Sequence, residues 1–119
     1  MYTHYYAICS AADMAALWRK GYGYLTGGTQ AANDLASYFE GRTETAIGQA
    51  VGDRYTSWGK AGWYYTADGY GSAPAMNDCG IVFADSGTYL VAFMSDGYGD
   101  FESAAQVLAA LDGVHDFIA

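Results

Sequence analysis

Basic residues, proline and cysteine are all scarce in this chain. Only five Lys and Arg side chains face thirteen acidic ones, which gives a formal net charge of −8. A surface of that sign repels the phosphate backbone of nucleic acids. A single proline and a hydrophobic fraction of 52% argue against disorder. The sequence therefore predicts a packed globular domain that does not bind nucleic acid.

Long hydrophobic runs are absent as well. No stretch approaches the roughly 20 apolar residues that a membrane-spanning helix needs. The start of the chain, residues 1–6, has no basic segment followed by an apolar run, which is the pattern of a secretory signal. We expect no membrane segment in this chain and no export signal of its own.

The two cysteines, Cys9 and Cys79, are too few for a disulfide framework. Neither stands in a Cys-x-x-Cys or Cys-x-x-His spacing of the kind that binds zinc. We therefore expect both to be unpaired and mostly buried thiols, and we expect no metal or other cofactor.

Capping residues and apolar periodicity predict the helices. Ser10 with Asp13 three residues later forms a capping-box pattern, Thr29 begins a second apolar stripe, and Asp100 can cap a final helix. Gly21 should end the first helix, and Gly113 is a possible interruption of the last. The predicted helices span about 10–20, 29–40, 43–51 and 100–112.

The middle of the chain favours strands. Aromatic and β-branched residues dominate there, and the tight turn Asp85-Ser86-Gly87 joins two compact apolar runs, which makes the strands antiparallel. The predicted strands span about 56–65, 77–84 and 88–95. The expected fold class is α+β, a three-stranded antiparallel meander packed with helices, in a single domain segment covering 1–119.

Several segments match one known family in the right order. Residues 10–17 look like the helix that follows its Ω-loop, Lys60-Ala61-Gly62-Trp63 looks like its Lys-Thr-Gly strand, and residues 77–82 and 89–94 look like the next two strands. Taken together, the chain resembles the C-terminal part of the class A β-lactamase and penicillin-binding-protein-like serine hydrolase domain, a transpeptidase-like fold. The resemblance covers essentially the whole chain.

The resemblance implies a substrate-binding strand at residues 60–63. Lys60 would hold a substrate carboxylate and help to polarise the site, and Gly62 would let the substrate backbone lie close. The Trp63 amide would be one donor of the oxyanion hole, which makes Lys60 and Trp63 the catalytic candidates. Ala61 departs from the family, because it lacks the hydroxyl that the family places against the substrate carboxylate.

The implied activity is acyl transfer through an acyl-enzyme, with a β-lactam or a peptidoglycan stem peptide as substrate. The family's Ser-x-x-Lys nucleophile and Ser-x-Asn loop lie far upstream of its Lys-Thr-Gly strand, and only 59 residues precede Lys60 here. We therefore expect an incomplete active site and an inactive isolated chain. Members of this family act in the cell envelope or outside the cell, which is the expected location of the parent protein.

Other motifs favour structural interpretations. Ser57-Trp58-Gly59-Lys60 has the Ser-x-x-Lys spacing, but on a strand its serine and lysine point to opposite faces. His4 and His115 have no Ser or Cys partner at a recognisable spacing and are expected to be surface or packing residues. The acidic run at residues 96–102 does not fit an EF-hand and is expected to be a turn followed by a helix cap.

Two binding functions remain as alternatives. The aromatic run at residues 62–70 is similar to one unit of the cell-wall-binding repeats that recognise choline or glucan, although such repeats are stable only in tandem. A sheet lacking the family's first strands would also expose an edge at residues 88–95. That edge would support self-association or complementation by the missing N-terminal half of the domain.

Overall fold

A computed structural model describes residues 8–64, 74–97 and 99–119 of the chain. Within them lie four helices and three strands. No helix among these residues is long and apolar enough to cross a membrane. The elements, in chain order, are α1 (Ala11–Leu25), α2 (Gln30–Phe39), α3 (Ala46–Val51), β1 (Thr56–Tyr64), β2 (Ala75–Ala84), β3 (Gly87–Ser95) and α4 (Phe101–Ile118).

The strands form one antiparallel sheet in the order β1-β2-β3, which confirms the predicted α+β class and the antiparallel meander. The predicted turn between β2 and β3 is also confirmed. Gly87 closes it with a φ of +132°, a backbone conformation that favours glycine. The central strand β2 is paired along both edges, and core residues lie on both of its faces.

Helices cover both faces of the sheet. On one face α3 and α4 pack around Ile47, Met76, Val82 and Leu108, and on the other face α1 and α2 pack around Trp18, Leu25, Trp58, Cys79 and Ile81. Alternate residues of β2 point to opposite faces, so Met76 and Val82 belong to one cluster while Cys79 and Ile81 belong to the other. The result is a three-layer arrangement with the sheet in the middle.

Local capping predicted the helix starts well, with one exception. The Ser10 and Asp13 capping box is present, and Thr29 and Asp100 accept hydrogen bonds from the first turns of α2 and α4. The start near residue 43 was wrong, because α3 begins at Ala46 with Thr45 as its cap. Thr45 is 4% exposed, and its burial against the sheet selects this threonine as the cap.

Two predicted helix ends were also wrong. Helix α1 continues through Gly21 to Leu25, and α4 continues through Gly113 to Ile118. Glycine inside a helix costs about 1 kcal/mol relative to alanine. Packing offsets this cost, because Leu25 is buried in the core and His115 packs its ring 4.3 Å from that of Tyr89.

Candidate active site

The predicted site strand, β1, lies at one edge of the sheet. Helix α2 leads into this edge, where Glu40 bridges to Trp58 and the Gly41 amide donates to the Ser57 carbonyl at 3.1 Å. The Trp58 indole also donates to the Glu40 carboxylate at 3.2 Å. Among the described residues, these contacts lie at residues 57 and 58, in the first part of β1.

The hydrogen bond from the Gly41 amide to the Ser57 carbonyl shows which backbone groups of β1 point away from β2. Backbone groups of successive residues in an antiparallel strand point alternately to one neighbour and to the other side. Since the Ser57 carbonyl points away from β2, the N–H and C=O groups of Gly59, Ala61 and Trp63 point away from β2 as well. The amide for which we expected an oxyanion role is therefore directed to the outer edge.

Lys60 is exposed, and its ammonium turns back to donate to the carbonyl oxygen of the adjacent Ala61. That oxygen points away from β2, so the positive charge of Lys60 lies at the outer edge of the sheet. Beside it, a Cβ at Gly62 would have no neighbouring atom within 4 Å. The sheet face over Gly62, on the side of Lys60, is therefore open.

A cavity of about 460 Å³ lies beside the outer edge of β1, a volume within the range of small-molecule sites. Its lining combines β1 with the end of α2 and the following loop. The residues are Tyr38, Phe39, Arg42, Glu44, Thr45, Gly59, Lys60, Ala61 and Trp63. Three of the four predicted site residues, all but Gly62, thus line one cavity.

Arg42 is the residue that sequence reasoning missed. Its side chain donates to the Tyr38 carbonyl at 2.6 Å, and it lines the cavity together with Lys60. The chain has only five Lys and Arg residues, and two of them line this cavity together with the acidic Glu44. No local pattern marks Arg42, because only the return of α2 to β1 brings it to Lys60.

Lys60 also lines a second, apolar cavity of about 530 Å³ between α1 and α2. Leu17, Tyr24 and Leu35 line this groove and are 61%, 55% and 42% exposed. Large contiguous apolar surface is unusual on a monomeric domain and marks interaction sites. The Lys60 edge is thus bordered by an exposed apolar groove.

Trp63 and Ala61 point to the opposite face from Lys60. The Trp63 ring makes an edge contact with Phe101 at 5.7 Å and is 43% exposed, which ties the end of β1 to α4. Ala61 is 8% exposed. The indole ring therefore packs against α4, and the expected oxyanion role concerns the Trp63 backbone amide.

A buried carboxylate lies behind the site strand. Asp78 pairs across the sheet with Ala61, is fully buried, and accepts a 2.9 Å hydrogen bond from the Ile47 amide at the start of α3. Burial raises the pKa of Asp78, while the Ile47 amide and, more weakly, the charge of Lys60 act in the opposite direction. Asp78 therefore links the position of α3 to the strand that carries Lys60.

We expect Asp78 to give the stability of the protein a distinctive pH dependence. Its native pKa is raised, so the native state retains this proton at a pH where the unfolded chain has lost it. The stabilising contribution is then complete below about pH 3.9 and declines as the pH rises through the native pKa. The variant Asp78→Asn keeps an oxygen for the Ile47 amide but does not titrate.

The measurement is urea unfolding of both proteins across the acid-to-neutral range. The free energy of unfolding of the native sequence minus that of Asp78→Asn should fall as the pH rises. Asp100 is the matched control, because its hydrogen bond from Ser103 lowers its pKa. Asp100→Asn should give a difference that rises with pH, and a flat difference for Asp78→Asn would contradict the assignment.

The alternative nucleophile motifs do not assemble a catalytic pair. Ser57 is buried on one face of β1 and Lys60 lies on the other, as expected for a strand. His115 lies 3.2 Å from Ser86, a contact that the sequence did not predict, but the Ser86 hydroxyl donates to Asp116 at 2.5 Å. The serine proton is therefore directed to a carboxylate and not to the histidine.

The remaining candidates also have structural explanations. Asp100 caps α4, as predicted, and no group of three metal-binding side chains occurs among the described residues. Both cysteines are free; Cys79 is buried as expected, whereas Cys9 is exposed, because it precedes α1 and lies outside the core. His4 falls outside the residues that the structure describes.

Comparison with family models, with curated proteins and with solved structures found no match to this chain.

Proposed function

We propose that the outer edge of β1 is one wall of the active site of a serine acyl hydrolase or transpeptidase that acts on β-lactams or peptidoglycan stem peptides. The observation that carries the proposal is the combination, at one cavity, of outward-directed backbone groups and two cationic side chains, Lys60 and Arg42. The resemblance of residues 60–63 to a Lys-Thr-Gly strand points to the same chemistry.

In this proposal each group has a defined task. The Lys60 ammonium, assisted by Arg42, holds the carboxylate of the substrate by a charge-assisted hydrogen bond. The outward amides of β1 align the substrate backbone, with room at Gly62 for close approach. The Trp63 amide stabilises the oxyanion that develops in the transition state. Ala61 supplies no hydroxyl, so carboxylate recognition depends on the two cations.

In this proposal the nucleophile comes from a segment outside the described residues. The described residues place no serine and base together at this wall, and a covalent serine mechanism needs both. The exposed apolar groove between α1 and α2, which borders Lys60, is the surface against which such a segment would pack. The parent protein is proposed to act in the cell envelope or outside the cell.

The proposal is tested with the isolated chain and two probes, benzylpenicillin and a blocked peptide ending in D-Ala-D-Ala. We expect weak, non-covalent binding that shifts the amide NMR signals of Gly59, Ala61 and Trp63. Lys60→Gln should weaken the affinity about tenfold, or about 1.4 kcal/mol. Arg19→Gln removes the same charge from α1, near the opposite sheet edge, and should have no effect.

Mass spectrometry, the affinity of Lys60→Gln and retention on resin each give an outcome that would contradict the proposal. A covalent penicillin adduct on Ser57 would show that the chain contains its own nucleophile and would contradict the proposed incomplete site. Equal binding by the native chain and Lys60→Gln would show that Lys60 does not hold the carboxylate. Retention on choline or glucan resin would favour the cell-wall-binding alternative, whose residues 65–70 lie outside the described part of the structure.

A further inference from the structure

The outer edge of β3 lies on the side of the sheet opposite to Lys60. The register pairs Ser57 with Val82 and Val82 with Tyr89. Because Ser57 points its carbonyl away from β2, Val82 bonds to Tyr89 and not to Ser57. Odd-numbered residues of β3 therefore bond to β2. The N–H and C=O groups of Thr88, Leu90, Ala92 and Met94 point outward.

Within β3 itself, the described residues carry none of the sequence devices that usually protect an edge strand. Edge strands of monomeric proteins are commonly blunted by charged side chains, proline or a bulge. From Gly87 to Ser95 the strand contains no charge and no proline, and its pairing with β2 is continuous. Among the described residues, no other strand pairs with β3. The outward backbone groups thus form a template for a further strand.

Helices on both sides turn this edge into an apolar groove. Leu90 and Ala92 pack towards α1, and Tyr89, Val91 and Phe93 pack towards α4. An exposed apolar stripe on α4 runs beside the buried stripe of that helix, with 46–72% exposure. Its members are Val107, Leu111, Val114 and Ile118. A cavity of about 810 Å³, lined by Phe93 and Val107, opens at the Ser95 end.

Charge at the ends of the groove selects its occupant. The Ser95 end carries Asp96, Asp100 and Glu102, and the turn end carries Asp85 and Asp116. Two copies of β3 paired about a two-fold axis would place the three carboxylates at the Ser95 end of one copy against the turn end of the other, where Asp85 and Asp116 outnumber Arg19, in a chain of net charge −8. A second copy is therefore a poor partner.

We propose that the β3 edge binds an extended segment of another polypeptide by strand addition. The segment carries β-branched or apolar side chains on both faces and Lys or Arg at the end that lies beside Asp96 and Asp100. One apolar side chain enters the cavity between Phe93 and Val107. Arg19 lies near Thr88 at the other end, so the basic end of the segment belongs at Ser95. This inference rests on the β3 edge and not on the Lys60 site; in a parent protein that supplies the N-terminal half of the domain, a strand of that half would compete for the same edge.

The test uses the full chain and a blocked synthetic peptide in which two lysines precede an alternating run of valine and threonine. Binding is measured by fluorescence anisotropy, and hydrogen exchange reports the site. We expect the peptide to protect the amides of Leu90, Ala92 and Met94. The same peptide with glutamates for its lysines should bind about tenfold more weakly. N-methylation of its alternate amides should abolish binding.

Two variants test the edge itself. Ala92→Pro removes one outward N–H while keeping the bonds to β2, a position where edge strands tolerate proline. Ala92→Lys places a charge on the edge and keeps the backbone. Both should weaken peptide binding at least about tenfold, with circular dichroism unchanged for at least one of them. Unaltered binding by a folded variant would overturn the proposal. So would a dimer, detected by light scattering, that Ala92→Lys dissociates, because the occupant would then be a second copy.

Discussion

Replacing Gly80 by alanine should leave the protein largely unfolded. A Cβ at this position would overlap the carbonyl oxygen of Trp58 and would lie 2.9 Å from the Cα of Gly59. Gly80 and Gly59 face each other as a pair that is not hydrogen-bonded, where the backbones of β1 and β2 approach most closely. The obstacle is backbone in the centre of the sheet, which cannot move without breaking the ladder.

The expected loss exceeds about 4 kcal/mol, which is most of the roughly 5–15 kcal/mol that stabilises a typical domain. Far-ultraviolet circular dichroism and urea unfolding measure it. Gly59→Ala is the matched control, because the atoms nearest to a Cβ on Gly59 would be those of the Thr45 side chain at 3.5 Å and of Ile47 at 3.7 Å, which is ordinary contact. That variant should change stability by less than about 1 kcal/mol. Equal stability of the two variants would refute the steric argument.

The second large effect is expected at Asp112, a buried carboxylate on α4. It is 1% exposed and ion-paired to Arg54 at 2.8 Å, and it accepts a 2.7 Å hydrogen bond from the Tyr89 hydroxyl. Burial, followed by the bond to Asp112, raises the pKa of Tyr89. Three elements of the chain therefore converge on one negative charge that water does not reach.

Arg54→Ala should destabilise the protein, because it leaves the Asp112 carboxylate buried without its cation. Losing one partner of a fully buried pair costs about 3–5 kcal/mol. Since the Arg54 side chain is 42% exposed and water screens it, we expect about 2 kcal/mol. The cost is measured as the change in the free energy of urea unfolding at neutral pH.

The effect of Asp112→Asn on stability should have opposite signs in the native protein and in the Arg54→Ala variant. In the native background, Asp112→Asn removes the ion pair with Arg54 and should destabilise the protein. In the Arg54→Ala background, the same Asp112→Asn removes an uncompensated charge and should stabilise. If Asp112→Asn has the same sign in both backgrounds, the two residues are not coupled, and the carboxylate is not held by Arg54.

Local chemistry made much of the fold predictable. Ser10, Thr29 and Asp100 cap helices through hydrogen bonds to residues three positions away, so the pattern for each is contained in four consecutive residues. The tight turn before Gly87 likewise required β2 and β3 to be antiparallel neighbours. Predictions based on such short-range bonds agree with the structure.

Predictions that depended on a distant partner were less successful. Gly21 should end a helix on local grounds, but the burial of Leu25 in the core extends α1 past it. The third helix was predicted to start at residue 43, but it begins at Ala46 with the buried Thr45 as its cap. The same applies to the site, where the strand carrying Lys60 was predicted but its second cation, Arg42, was not.

The sequence by itself determined the fold class, the number and order of the strands and the acidic character of the surface, because these depend on periodicity, short turns and composition. Only the tertiary structure decided which side chains meet. It brought Arg42 to Lys60, Arg54 and Tyr89 to Asp112, and acidic groups to both ends of the β3 edge. Contacts between residues far apart in the chain follow from how the layers pack, and no local pattern records that packing.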